Sequence, residues 1–377
     1  MSTKKLNLAI TGGWSWGHIL PLISLLQMID DTRQYRQVID NVFWFGEKKG
    51  MEYKFFQQYE SSFDTLHPQF ISILAGKYRR ETIWISRWRN FRDMFIFPLG
   101  ILQSIYYILS RRIDIVFCKG GYVSLPVVIA ARLLRKKIYV HDSDTTPWLT
   151  TRFASRFATQ NFSGFPDTLR DTLPVGQILS DSLISKPNDL LFDLPSDKLI
   201  VLVAWGSLGS QKLYHGVLQA IRGDKFCQEQ CFFIFINGKD TIDKKYLPDD
   251  TSHILITDLI TEQAVMWYLY AHADLGIVRG GTTTLAECKL FDLPLVIVPL
   301  PVTHDQAKNA QYYVEKYQDI CISQNNPQFI KLLHTSIVKT QKKNNSFDPH
   351  KTKSLIQKAK IIILDSILLN KYTLPTK

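Results

Sequence analysis

Short apolar runs alternate with amphipathic stretches along most of this 377-residue chain. In the first half, runs at 6–10, 41–45, 70–74, 113–118 and 137–141 read as buried strands. The segments 18–29, 47–58, 98–110, 123–134 and 147–158 between them read as helices. Strand–helix alternation predicts a parallel sheet covered by helices on both faces. The pattern breaks at Asp171-Thr172-Leu173-Pro174-Val175-Gly176, which places an interdomain linker at 171–180. It then resumes with strands at 199–204, 231–236, 253–256, 274–278 and 295–298 and helices that include 262–271 and 282–290. The segment 338–353 is rich in Lys, Asn and Gln and reads as mobile surface, and an apolar helix at 354–369 follows. The predicted fold class is α/β, with two Rossmann-like parallel-sheet domains, 1–170 and 181–345, facing across a cleft.

Two glycine-bearing turns stand at matching places in the two halves. Strand 6–10 runs into Thr11-Gly12-Gly13-Trp14-Ser15-Trp16-Gly17-His18, and strand 199–204 runs into Trp205-Gly206-Ser207-Leu208-Gly209-Ser210. Glycine after a strand lets backbone N–H groups approach a phosphate, and the helix behind adds the positive end of its dipole. The first turn lacks the full dinucleotide fingerprint, so that reading is weak. Its histidine admits two readings. His18 is a base at the mouth of a cleft, taking a proton from an acceptor hydroxyl, or it packs at the helix start.

Composition narrows the partners. A formal net charge of +11 favours a polyanion: nucleic acid, an anionic membrane or a phosphorylated substrate. The five cysteines are scattered and odd in number, which points to reduced thiols. Cys227 and Cys231 are four apart with no second Cys/His pair near them in sequence, which argues against zinc. The chain goes almost directly into a strand, so no signal peptide is expected. The apolar stretch Phe95 to Leu109 is shorter than a spanning helix needs and reads as a buried helix, leaving only peripheral membrane contact.

Further junctions carry polar groups. Cys118-Lys119-Gly120-Gly121-Tyr122-Val123-Ser124 is a phosphate cradle or simply a tight turn. His141-Asp142-Ser143-Asp144 ends a strand; its carboxylates orient a base or bind sugar hydroxyls, or Asp144 is a helix N-cap. In Arg279-Gly280-Gly281-Thr282-Thr283-Thr284-Leu285-Ala286-Glu287, glycines, hydroxyls and a helix N-terminus converge as a diphosphate site needs. Glu287 is a ribose acceptor or a solvated glutamate. His304-Asp305-Gln306-Ala307-Lys308-Asn309-Ala310 follows the next strand.

Taken in order, these pieces resemble the MurG family of peptidoglycan N-acetylglucosaminyltransferases, family 28 of the GT-B glycosyltransferases. The resemblance runs from about residue 6 to about 315. It implies inverting transfer of N-acetylglucosamine from UDP-GlcNAc to the muramic 4-hydroxyl of undecaprenyl-linked lipid I, giving lipid II; the alternatives are a GT-B transferase for another lipid acceptor, such as diacylglycerol, and a non-catalytic nucleotide-sugar binding protein. It implies His18 as general base and an acceptor side built from Gly13, Gly17, Gly120, Gly121, Tyr122, Asp142 and Asp144. It implies Gly206, Ser207, Gly209 and Thr284 at the donor diphosphate, Ile260 near uracil, Glu287 on ribose, and Asp305 with Gln306 on the sugar. No cofactor, metal or nucleic acid is expected, since backbone dipoles can stabilise the leaving UDP. The helix 354–377 is expected to return to the first domain.

Two departures stand out. Gly176-Gln177-Ile178-Leu179-Ser180 lacks the family's arginine, so Lys212 or Arg279 would have to supply a cation. Trp14, Trp16, Trp148 and Trp205 fall where the family has glycine, a poor exchange at backbone-approach positions. One reading is that these codons are UGA, decoded as glycine in the cell; the other is that the tryptophans are real and the loops have degenerated.

Residues 77–92 carry six Lys/Arg and one Glu interleaved with aromatic and aliphatic side chains. Cations beside interfacial aromatics suit an anionic bilayer surface, and the same composition suits RNA. With the family likeness, the expectation is a peripheral enzyme on the cytoplasmic face of the cell membrane, touching it through Tyr78, Arg79, Arg80, Ile83, Trp84 and Trp88.

Overall fold

The computed structural model describes residues 4–13, 15–77, 84–166, 168–184, 192–204, 211–238, 242, 244–260, 262–301, 304–343 and 348–372. The chain forms two compact units, Met1–Ser180 with Ile356–Lys377, and Asp181–Leu355.

The first unit holds strands β1 (Leu6–Gly12), β2 (Ile39–Gly46), β3 (Gln69–Ser72), β4 (Ile115–Gly120), β5 (Lys137–Asp142), β6 (Gln160–Ser163) and β7 (Thr172–Pro174). They form one sheet in the order β3-β2-β1-β4-β5-β6-β7, parallel throughout. Helices α1 (Trp16–Asp31), α2 (Arg33–Arg36), α3 (Met51–Tyr59), α4 (Trp84–Ser110), α5 (Ser124–Leu133) and α6 (Leu149–Ser155) lie between them in sequence. Such crossovers bury a parallel sheet on both faces, and β4 is buried along its whole length.

The second unit repeats the scheme with β8 (Leu199–Ala204), β9 (Cys231–Ile236), β10 (Ile254–Thr257), β11 (Leu275–Val278), β12 (Leu295–Ile297) and β13 (Ile320–Cys321). Their order is β10-β9-β8-β11-β12-β13, again parallel. Its helices are α7 (Gln211–Ile221), α8 (Lys225–Gln230), α9 (Gln263–His272), α10 (Thr282–Leu290), α11 (His304–Tyr317) and α12 (Phe329–Val338). The last helix, α13 (Pro349–Leu368), belongs to the first unit from Ile356 onward. There Ala359, Ile363, Leu364 and Ile367 pack into the core made by Leu8, Ile10, Leu22 and Leu26. Tyr35 donates to Asp365 at 2.9 Å across this seam.

Two differences from the sequence reading have physical causes. The segment expected as a linker contributes β7, which closes the edge of the first sheet beside β6. β6 itself reads as polar (Gln160-Asn161-Phe162-Ser163), yet all four residues are buried; Asn161 Nδ2 donates to the carbonyls of Ser155 and Arg170.

The apolar stretch 95–109 is not a buried helix but part of the longer α4. Its Gly100 side packs so closely that a Cβ there would stand only 1.9 Å from the Leu74 carbonyl oxygen. Ser104 and Ile108 are fully buried on the same side. The opposite side carries Trp84, Trp88, Phe91, Phe95, Leu99, Leu102, Tyr106 and Leu109, each 51–77 % exposed. Pro98 sits inside α4 on the exposed side with Met94, whose carbonyl loses its helical amide partner. By length and composition, Ser86–Ser110 suffices to cross a membrane, with a mean hydropathy of 1.3.

Candidate functional site

In the first unit the site forms where β1 and β4 end side by side. Gly12 pairs with Gly120 after a register shift. Gly120 and Gly121 have φ of +102° and +85°, a region that favours glycine. A Cβ on Gly121 would lie 2.7 Å from the Gly13 carbonyl oxygen. A Cβ on Gly13 would meet Glu52 Oε2 at 2.7 Å and Val123 Cγ2 at 2.7 Å. The two turns therefore touch backbone to backbone, with no room for side chains.

This contact sets His18. Gly17 is the second residue of α1, and His18 follows it one turn behind the glycines. His18 Nδ1 lies 3.1 Å from the Gly13 carbonyl oxygen and 3.0 Å from Ser15 Oγ. A carbonyl only accepts, so Nδ1 carries the proton and Nε2 keeps its lone pair. Nε2 points toward Gly120, 3.5 Å from where a Cβ there would stand. Burial, and secondly the Lys119 ammonium, push the His18 pKa down to about 3. The imidazole is neutral, with its basic nitrogen at the glycine turn.

Lys119 is buried between this turn and the end of β5. Its Nζ donates to Ser143 Oγ at 2.7 Å. Desolvation lowers its pKa to about 8, against the pull of Asp142 and Asp144. Asp142 is buried too; its Oδ1 accepts the Asp144 N–H at 2.8 Å. Desolvation, then the Asp144 charge, raises Asp142 to about 6. Asp142 thus organises the turn, while half-buried Asp144 accepts from Trp148 Nε1 at 3.0 Å. The Tyr122 hydroxyl donates to Glu47 Oε2 at 2.6 Å.

Glu47 and Glu52 escaped the sequence reading. Glu52 is buried, accepts the Glu47 N–H at 2.9 Å, and lies against Gly13, Gly46 and Gly50. The spacing Gly46-x3-Gly50-x-Glu52 was the available signal.

In the second unit, β11 runs into Arg279-Gly280-Gly281 and then α10. Gly281 is the N-cap and has no side-chain cap bond, and half-buried Thr284 lies in the first turn. A Cβ on Gly280 would meet the Gln306 carbonyl oxygen at 2.5 Å, so α11 presses directly on this turn. Asn309 Nδ2 donates to the Gly280 carbonyl at 3.2 Å, and Gln306 Oε1 accepts the Leu300 N–H at 3.0 Å. Asp305 is half-buried in the first turn of α11, and Ile260 is half-buried just after β10.

Glu287 is buried, not solvated; its Oε2 accepts the Tyr270 hydroxyl at 3.0 Å. Burial raises its pKa to about 7, against the Tyr270 hydrogen bond. Arg279 turns inward. Its NH1 donates to the Val298 carbonyl and to Gln324 Oε1, both at 2.9 Å. Lys212 donates to Asn325 Oδ1 at 3.0 Å.

Gly206, Ser207 and Gly209 lie outside the described residues, as do Tyr78, Arg79, Arg80, Ile83, Trp14 and Trp205. Trp16 packs edge-on against Phe55, ring centroids 4.7 Å apart. Neither Trp16 nor Trp148 is among the groups nearest Gly12, Gly13, Gly120 or Gly121.

Two parallel-sheet α/β units, each with a glycine turn at the carboxyl end of a central strand, have the fold of the GT-B class. The profile of the glycosyltransferase family 28 N-terminal domain matches residues 8–163, and that of the family 28 C-terminal domain matches 200–364. The chain belongs to glycosyltransferase family 28. It is 31% identical over 326 residues to a Staphylococcus saprophyticus protein named UDP-N-acetylglucosamine–N-acetylmuramyl-(pentapeptide) pyrophosphoryl-undecaprenol N-acetylglucosamine transferase, covering 82% of this chain and 84% of that one. A Streptococcus thermophilus protein of the same name is 32% identical over 324 residues, with 83% of each chain covered. Among solved structures, Acinetobacter baumannii MurG superimposes with a TM-score of 0.67 at 19% identity, over 96% of this chain and 99% of that one.

Proposed function

We propose that this enzyme transfers N-acetylglucosamine from UDP-GlcNAc to the muramic 4-hydroxyl of lipid I, forming lipid II. The geometry of His18 carries the reading. Gly13 holds Nδ1 as a donor, which leaves Nε2 to take the acceptor proton beside the Gly120–Gly121 turn. The acceptor oxygen then attacks the anomeric carbon from the face opposite UDP, and UDP departs with the bonding pair. Configuration inverts. The Gly13, Gly17, Gly120, Gly121 and Tyr122 backbone, with Asp144, lines the acceptor side.

The second unit takes the donor. The N-terminus of α10 with Thr284, together with Gly206, Ser207 and Gly209, holds the diphosphate. Glu287 accepts from the ribose hydroxyls, Ile260 contacts uracil, and Asp305 with Gln306 holds the sugar.

The exposed stripe of α4 rests on the cytoplasmic face of an anionic membrane, where lipid I resides. Its aromatic residues enter the interface, and Arg87, Arg89 and the 77–83 cations meet the headgroups. The other side of α4 stays packed in the first unit.

The test is transfer of labelled GlcNAc to a soluble lipid I analogue, with diacylglycerol as a competing acceptor. Transfer to the muramic sugar, with inversion, is expected. Transfer to diacylglycerol alone would overturn the assignment.

A further inference from the structure

A cluster of metal-ligating side chains lies at the amino end of β9, away from the donor turns. Asp224 caps α8, with its Oδ1 accepting the Cys227 N–H at 2.8 Å. Its Oδ2 lies 2.9 Å from His334 Nε2, on α12. The ligand atoms of Asp224, Cys227 and His334 all fall within 4.8 Å of one another. Cys231 opens β9, and its buried thiol lies beside that of Cys227 but outside this group of three. Both cysteines are fully buried and reduced, whereas Asp224 and His334 keep side-chain exposures of 28% and 36%. The sequence argued against zinc because no second Cys/His pair lies nearby along the chain. The fold removes that objection, because α12 brings His334 to the cysteines from more than a hundred residues away.

We propose that Asp224, Cys227 and His334 form a structural zinc site that the neighbouring Cys231 completes by turning its thiol toward the ion. Two thiolates, an imidazole and a carboxylate supply the four ligands that zinc takes, and thiolates select it over magnesium or calcium. The Cys227 N–H fixes the carboxylate through Oδ1 and leaves Oδ2 for the metal, as outer partners do in metal sites. Zinc displaces the two thiol protons and takes the place of the His334–Asp224 hydrogen bond. The bound centre carries one net negative charge, and Lys198 is near enough to Cys231 to act on it electrostatically. The half-exposed Asp224 and His334 give the ion its way in.

The site clips α8 and the start of β9 to α12. It is not part of the transfer chemistry. β9 is parallel to β8 and β11, and the candidate donor residues follow the carboxyl ends of those strands. A strand of six residues spans roughly 20 Å. A chelator should therefore lower stability and leave turnover intact while the fold holds.

The test uses the full chain, purified under reducing conditions and stripped with a chelator. Cobalt(II) is titrated first and zinc second. One equivalent of cobalt should give the intense visible bands and the thiolate charge-transfer band of a tetrahedral site, zinc should abolish them, and zinc should raise Tm. Cys227→Ser and Cys231→Ser should each weaken zinc by more than the roughly ten- to hundredfold typical of an outer partner. His334→Gln and Asp224→Asn change exposed groups, and Asn caps a helix as well as Asp does; each should shift the cobalt spectrum in a protein that still folds. Cys321→Ser should change nothing. The proposal is overturned by a cobalt spectrum without a thiolate band, by one that disappears with Cys321, or by a Cys227–Cys231 disulfide in freshly isolated, metal-free protein.

Discussion

Gly121 and Gly13 meet backbone to backbone. A Cβ on Gly121 would stand 2.7 Å from the Gly13 carbonyl oxygen and 3.2 Å from its nitrogen. That same carbonyl anchors His18 Nδ1 at 3.1 Å. A side chain at 121 therefore displaces the base as well as the turn. Gly121→Ala also forces alanine to a φ near +85°, which costs about 1 kcal/mol or more. The expected outcome is a Tm lowered by a few degrees and transfer reduced far beyond the loss of folded protein. Wild-type kcat in Gly121→Ala would show that the contact is irrelevant to catalysis.

His18 is neutral in the free enzyme down to about pH 3. Below its ordinary pKa of 6.5 the unfolded chain binds a proton that the folded state refuses. His18 therefore removes stability as pH falls from 6.5 toward 3, and its contribution is complete above 6.5. NMR of the His18 ring should show no titration near 6.5. Binding a diphosphate beside it should move its pKa up, by offsetting the Lys119 charge. A free-enzyme midpoint near 6.5 would contradict the buried, Lys119-facing geometry.

Glu287 gives the opposite slope. Its folded pKa of about 7 exceeds the ordinary 4.5, so the folded state keeps a proton that the unfolded chain loses. Stability falls as pH rises through that window and levels off above 7. Glu287→Gln should gain relative stability over the same range, by at most about 3 kcal/mol. Ribose hydroxyls donate to the charged form, so UDP affinity should rise with pH through about 7. Tyr270→Phe removes a hydrogen bond that favours the carboxylate, so it should shift both transitions upward. Calorimetric titration of UDP across pH 5–9 checks this; a pH-independent Kd would remove Glu287 from the donor site.

The α4 stripe predicts lipid-dependent binding. Trp84→Ser with Trp88→Ser and Phe91→Ser should abolish co-sedimentation with anionic vesicles while leaving transfer to a soluble acceptor analogue unchanged, since these side chains are exposed and make no part of the proposed acceptor site. Equal binding of wild type to neutral and anionic vesicles would contradict the charge component.

Four tryptophans at family glycine positions carry the recoding proposal. Trp16 packs beside Phe55, and Trp148 donates to Asp144. Peptide mass spectrometry of protein from its natural source should read glycine at 14, 16, 148 and 205. Tryptophan there, or UGG codons in the gene, would end the proposal.

Much of the architecture was legible because most of the parallel strands are short, largely apolar runs. The spans 199–204, 231–236 and 282–290 agree with the structure to the residue. What escaped was satisfied polarity. β6 hides its amides in local hydrogen bonds, and the arginine-rich start of α4 masks a helix whose apolar side is outward. Of the candidate site, the sequence singled out His18 and the glycines. Its supports were not legible, because Glu52, Tyr270 and the Cys227–His334 cluster depend on contacts between residues distant along the chain, which periodicity does not encode.

The most direct measurement is single-turnover GlcNAc transfer to a soluble lipid I analogue by wild type and His18→Gln, with UDP affinity measured on both. The account predicts a roughly hundred- to ten-thousandfold slower step in the variant, with unchanged UDP binding. Equal rates in the two proteins would contradict His18 as the base.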